Sequence, residues 1–253
     1  MRPLINLFIL LTVLYAGICA ALFLFQRSLI YFPQARGHAT DTIKLAAPGA
    51  ELVVSVRPGP GGAAVLYFGG NAEDVSASLP QLAAAYPGHA LYLMHYRGYG
   101  GSGGTPSEAA LHADARALFD AVVKMHPDIT LIGRSLGSGI AIDLAASRPA
   151  RRLVLVTPYD SIENIAASQF RWLPVRLLLR DPYRSAAVAP RIGVPTVLVQ
   201  AEFDTIIPAA STARLLAAFK PGMAVLRTIR GAGHNDIGDA PGYLEAIGAR
   251  PSD

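Results

Sequence analysis

Three side chains, far apart in a chain of 253 residues, are of the types that make an alcohol nucleophilic. Ser135 lies in Gly133-Arg134-Ser135-Leu136-Gly137, a G-x-S-x-G pattern between the apolar run ITLIG (129–133) and the helical pattern at 136–147. On a sharp strand-to-helix turn the serine points out of the sheet, and the flanking glycines remove side chains that would collide there. A serine hydroxyl attacks only when a base takes its proton, and that base needs an acid to fix its tautomer. His234, in RGAGHND (230–236), follows the last apolar run on a glycine-rich loop. Asp204, in QAEFDTIIP (200–208), follows the run before it. The order Ser135, Asp204, His234 is one in which such triads occur.

Each residue also has a plainer use. The glycines would let a helix press on a sheet whether or not Ser135 reacts. Asp204 would cap the helix expected from about 209, or open a turn. His234 would be an exposed loop histidine; His38, His89, His95, His112 and His126 lack a comparable setting. Asp160, in TPYDS (157–161), is a rival acid because it too follows a strand. Asp204 is preferred because it follows the penultimate strand, where this chain order places the acid. Asp236 is too close to His234 along the chain to orient it.

Attack on a carbonyl also requires two backbone N–H groups for the oxyanion, worth about 3 to 4 kcal/mol each. Leu136, just after the serine and at the positive end of the following helix, supplies one. The other is expected from the loop in YFGGNAEDVS (67–76), where Gly69 and Gly70 let the backbone approach and Asn71 or Ala72 presents its N–H; Asn71 is taken first. The same loop reads as an ordinary strand-to-helix turn with Asp74 as N-cap.

The elements that must position these groups follow from short apolar runs alternating with helical patterns. Runs at 63–68, 89–96, 129–133, 152–157, 195–201 and 224–229 are of the kind buried on both faces of a parallel sheet. Helices are expected at 74–85, 107–125, 136–147 and 209–219, giving right-handed βαβ units. ELVVSVRPG (51–59) reads as a half-buried strand closed by the turn PGPGG (58–62), with a hairpin partner after it. Residues 161–191 interrupt the alternation and read as a small cap insertion at the carboxyl ends of the strands.

FQRSLIYFP (25–33), YFGGNAED (67–74), YRGYGGSGGTPSE (96–108), LIGRSLGSGIAIDLA (131–145), AEFDTIIP (201–208) and GAGHND (231–236) together resemble the α/β-hydrolase superfamily. Within it they resemble membrane-anchored, small-cap serine hydrolases related to depalmitoylating thioesterases and serine-peptidase-like hydrolases. The resemblance covers nearly the whole chain. It implies an α/β-hydrolase fold, with a mostly parallel central sheet flanked by helices, a small cap and an N-terminal transmembrane helix. It implies hydrolysis of carboxylic esters or thioesters, including those of lipid or acylated substrates, with no cofactor or metal. Gly69 stands where many relatives carry histidine and His95 where aspartate is common, which bears on substrate and pH optimum. A serine peptidase of the same fold and a non-catalytic membrane-anchored binding module are the alternatives.

Residues 4–25, LINLFILLTVLYAGICAALFLF, carry no charge and approach the roughly 20 residues that cross a hydrocarbon core. They divide the chain into an anchor (1–27) and a hydrolase domain (28–253). A cleaved signal peptide is the competing reading, with Arg2 at the start and Ala20 before a cleavage site, but LFLF continues the run. Arg2 lies at one end and Arg27, Arg36 and Lys44 at the other, so flanking charge leaves both orientations open. The short basic start of a signal anchor favours a domain outside the cytoplasm. The cap carries Arg171, Arg176, Arg180, Arg184 and Arg191 with Phe170 and Trp172, either as a membrane-interface segment or as a helix packed by its leucines with arginines in water.

Other chemistry finds no footing. Net charge is +4, with no basic run interleaved with aromatics, which argues against nucleic acid. The single cysteine, Cys19, permits neither an intrachain disulfide nor a cysteine metal site. GYGGSG (98–103) fits a dinucleotide fingerprint literally, but Gly104, Thr105 and Pro106 delay the helix and no acid follows a second strand. No H-E-x-x-H pattern supports a metal-dependent hydrolase.

Overall fold

The computed structural model describes residues 1–248. Helix α1 (Arg2–Ile30) opens with Pro3 in its first turn and ends at Tyr31, whose extended backbone leads into Pro33. It runs three residues past the expected anchor boundary, because Gln26 and Arg27 find partners on the rest of the protein instead of water. By length and composition α1 can cross a membrane, and the most apolar stretch of it is unburied; an N-terminal signal sequence has the same character.

The sheet elements follow as β1 (Asp41–Ala47), β2 (Ala50–Arg57), β3 (Ala63–Phe68), β4 (Ala90–Met94), β5 (Asp128–Arg134), β6 (Arg152–Val156), β7 (Thr196–Ala201) and β8 (Ala224–Ile229). Helices α2 (Leu79–Ala85), α3 (Glu108–Val122) and α4 (Leu136–Ser147) separate β3, β4, β5 and β6. Between β6 and β7 lie three short helices, α5 (Ile162–Gln169), α6 (Val175–Leu178) and α7 (Ser185–Val188). Helix α8 (Ala209–Ala218) precedes β8, and α9 (Tyr243–Ile247) follows it. Caps mark several starts: Asp74 accepts from Ser76 N before α2, Ser107 from Ala110 N, and Ser161 from Asn164 N.

The strand order is β1-β2-β4-β3-β5-β6-β7-β8, with the first two pairings antiparallel and the rest parallel. One expectation fails. PGPGG is not a hairpin turn: β2 pairs with the upstream β1, across Pro48-Gly49, and with β4, while residues 63–68 form a parallel interior strand. From Ala64 to Phe68, β3 is buried on both faces, so it has no polar face to present beside an edge strand. β1, four of whose residues are exposed in succession, lies within a stretch too polar to read as a strand.

One face of the sheet packs Leu66, Phe68, Leu131 and Leu153 against α3 and α4 through Leu111, Leu118, Ile140 and Leu144. The other face packs Val65, Tyr67, Ile132 and Val199 against Leu82, Tyr86, Tyr243 and Ile247. From β3 the chain goes to β4 on one side and then crosses to β5 on the other. Loops leaving the carboxyl ends of β3 and β5 therefore diverge and leave a crevice between them.

Candidate active site

Ser135 bridges β5 and α4 with φ 49° and ψ −116°. A non-glycine residue there carries about 1–3 kcal/mol of strain, held by its surroundings. The Ser135 amide donates to Val156 O at 2.8 Å, and the Ser138 amide and hydroxyl both donate to Ser135 O. A Cβ on Gly133 would overlap Gly137 O, and one on Gly137 would overlap Phe68 O. The glycines thus serve both suggested uses: close packing of α4 on the sheet is what makes the turn sharp enough to project the hydroxyl.

The structure brings Ser135, His234 and Asp204 together. His234 Nε2 lies 3.0 Å from Ser135 Oγ, and its Nδ1 lies 2.8 Å from Asp204 Oδ2. The His234 and Asp204 side chains are only 8% and 7% exposed. The other Asp204 oxygen accepts from the amides of Ile206 and Ile207, so Asp204 also opens a turn. Burial alone would raise this carboxyl, but the bonds from His234 and from the two amides outweigh it and hold the group below its ordinary range. A carboxylate on Nδ1 favours the tautomer that leaves the Nε2 lone pair facing the serine. Asp160 is taken elsewhere, by Ser211, Asn164 and Arg214. Asp236 accepts from Gly233 N, which shapes the loop just before His234.

Leu136 is the first residue of α4, and its carbonyl accepts from the Tyr159 hydroxyl. The 69–74 loop stands opposite, where a Cβ on Gly70 would sit 3.8 Å from the Ser135 Cβ. The Gly70 amide is committed to Glu73 Oε2 at 2.7 Å. Asn71 borders the same cavity as Ser135, and its position is set from outside the loop. Its carbonyl accepts from Phe32 N and the Tyr99 hydroxyl, and its side-chain amide donates to Ile30 O. The end of α1 therefore holds this loop.

Two further residues, which sequence reasoning passed over, hold the site's loops. Arg134 donates to the carbonyls of Asn235 and His234, at 3.1 and 3.4 Å, and pairs with Glu73. Glu73 in turn accepts from Tyr67, Ser78 and Gly70 N. The variable position of G-x-S-x-G thereby ties the histidine loop to the loop after β3. His95 is buried and bonded to Ser55 Oγ, and burial lowers its imidazole to about 4, so at neutral pH it is an uncharged core group.

Ser135 and His234 open into a cavity of about 1200 Å³. Its walls come from the 70–74 loop, from α5 and α6 with the residues between them, and from the last half of α1. Most of the lining is aliphatic or aromatic.

A family model described as serine aminopeptidase, S33, matches residues 63–181. The uncharacterized protein MT2364 of Mycobacterium tuberculosis is 36% identical over 254 residues, covering 92% of this chain and 89% of that one. The alpha/beta hydrolase domain-containing protein aho-3 of Caenorhabditis elegans is 29% identical over 76% of this chain and 58% of its own length. Among solved structures, the Pyrococcus furiosus esterase Pf2001 superposes with a TM-score of 0.68 at 17% identity, covering 83% of this chain and 93% of that chain. The chain belongs to the α/β-hydrolase superfamily.

Proposed function

We propose that this chain is a serine hydrolase that cleaves carboxylic esters or thioesters, with Ser135 as nucleophile, His234 as base and Asp204 as its orienting acid. The observation that carries this reading is the unbroken relay from Ser135 Oγ through His234 to Asp204 at the floor of a largely apolar cavity. Ser135 Oγ bonds to the carbonyl carbon as its proton passes to His234 Nε2. The bond to the leaving alcohol or thiol then breaks, and that group takes the proton. Water repeats the steps in reverse, giving its hydroxyl to the acyl carbon and its proton, by way of His234, to Ser135. Leu136 N–H and Asn71 N–H hold the oxyanion in both halves.

The proposed organisation is an anchor at 1–27 and a hydrolase domain at 28–253, with residues 161–191 as its cap and the domain outside the cytoplasm. A fluorophosphonate probe tests the chemistry: wild type labels and Ser135→Ala does not. A well-folded wild type that fails to label would return the chain to the class of binding modules. The description of the matching family model favours a second reading, peptide hydrolysis. p-Nitrophenyl esters of graded chain length beside aminoacyl anilides separate the two, and turnover of the anilides alone would make the enzyme a peptidase.

A further inference from the structure

We infer that the last half of α1 is a wall of the acyl-binding cavity, and that the substrate is a long-chain carboxylic ester of a membrane lipid whose acyl chain reaches Ser135 directly from the bilayer. This rests on the serine-hydrolase reading and on α1 lying in a membrane.

Ile18, Ala21, Leu22, Gln26, Leu29 and Ile30 border the same cavity as Ser135 and His234. Their spacing of three to four residues puts them on one helix face. Ile18 and Ile30 are twelve residues apart, about 18 Å at helical rise, so the cavity is elongated along the helix. Its far end, at Ile18 to Leu22, falls within the uncharged stretch 4–25, at the depth of lipid acyl chains; its near end meets the reactive hydroxyl. Gln26, the one polar residue of this face, has its amide engaged by Phe23 O, Leu178 O and Arg180 N.

The facing wall is Ile165, Phe170, Leu173 and Leu178, with Trp172 at 58% exposure. Tyr15 reaches from α1 to Trp172 O, so this wall lies against the helix well above its last turn. Leu177, beside it, is 84% exposed. Exposed aromatics and leucine next to a membrane helix belong at the lipid interface. Arg171, Arg176 and Arg180 are also exposed on this rim, and the two nearby acids are already paired, Asp181 with Arg27 and Glu163 with Arg184. Such a rim suits anionic headgroups, which favours a lipid over an acylated protein. A cavity of about 1200 Å³ exceeds the roughly 300–1,000 Å³ usual for small ligands and accommodates a long chain.

The test uses the full chain in vesicles of phosphatidylcholine and phosphatidylglycerol. A long-chain fluorophosphonate with a diazirine at the end of its tail is allowed to react and is then photolysed. Phosphonylation at Ser135 with tail crosslinks to residues 18–22 is expected. Phosphonylation with crosslinks confined elsewhere would overturn the α1 wall while leaving the serine-hydrolase reading intact; no phosphonylation at Ser135 would remove both. In parallel, Ala21→Trp, which fills the cavity, is compared with Leu24→Trp, an exposed residue outside it. Ala21→Trp is expected to slow palmitoyl release from a vesicle phospholipid roughly tenfold or more relative to Leu24→Trp, with both variants folded by circular dichroism. Equal rates for the two variants on the phospholipid would overturn the proposal. Faster release from a palmitoyl-cysteinyl peptide on the same vesicles would overturn the lipid assignment.

Discussion

At Asp204 one carboxylate serves two purposes, and its two oxygens divide them. Oδ2 meets His234, while Oδ1 takes the amides of Ile206 and Ile207. Asp204→Asn keeps an oxygen for the turn and removes the charge that favours the reactive tautomer. Its kcat is expected to fall about 10³- to 10⁴-fold with the fold retained, measured by steady-state hydrolysis beside circular dichroism. The folded carboxyl titrates below its ordinary 3.8, so its contribution to stability is present above that value and is lost as pH falls through the lower folded one. Denaturant melts of wild type and Asp204→Asn should therefore differ most near neutrality and converge in acid. Arg134 holds the loop that carries His234, the proposed base, so on that reading it acts through position alone. Arg134→Leu should slow both ester turnover and fluorophosphonate labelling by about 10- to 100-fold. A variant that labels at the wild-type rate would make Arg134 irrelevant to the base.

Helix α4 and strand β3 approach closely enough that the elbow depends on one missing methyl. Gly137→Ala sets a Cβ onto Phe68 O, a backbone atom that cannot rotate away. A loss of about 3 kcal/mol is expected, which for a chain of this size is roughly 6–12 °C in Tm by thermal melt. The start of α3 carries a different kind of strain. Glu108 accepts from Tyr183 N, and burial raises its carboxyl from 4.5 to about 7. The folded state then binds the proton more tightly than the unfolded state, so this group lowers stability as pH rises from 4.5 to about 7. Glu108→Gln keeps an acceptor without a charge, and its Tm should exceed that of wild type above pH 7 and converge with it in acid. These elements differ in how far they were legible beforehand. α4 matches its expected span because glycine placement and apolar pattern agree there, and the order of Ser135, Asp204 and His234 reflects strand order in the sheet. β1 was not legible because its register with β2 is set by pairing and not by its own exposed side chains. The Glu73–Arg134 link was not legible either, since a loop and a strand end about sixty residues apart meet only once the crossover from β4 to β5 is known.

At the scale of the whole molecule, α1 is joined to the hydrolytic machinery by more than its peptide bond. Gln26 holds Leu178 and Arg180; Arg27 and Tyr31 converge on the buried Asp181, which also accepts from Glu108 N. The Tyr31 and Tyr183 hydroxyls share a bond of 2.9 Å. Ile30 and Phe32 fix Asn71, the residue proposed to present an oxyanion donor. The consequence is a division within α1 that shortening the chain can expose. A chain begun at Phe25 loses most of the apolar helix but keeps each of these contacts, and should hydrolyse p-nitrophenyl butyrate within about threefold of the full chain. A chain begun at Gln34 keeps the eight described strands yet loses the contacts that Arg27, Ile30, Tyr31 and Phe32 make on Asn71 and Asp181, and should fall by roughly tenfold or more. If the two shortened chains are equally active and both fold by circular dichroism, the end of α1 does not organise the site, and the helix is only a tether.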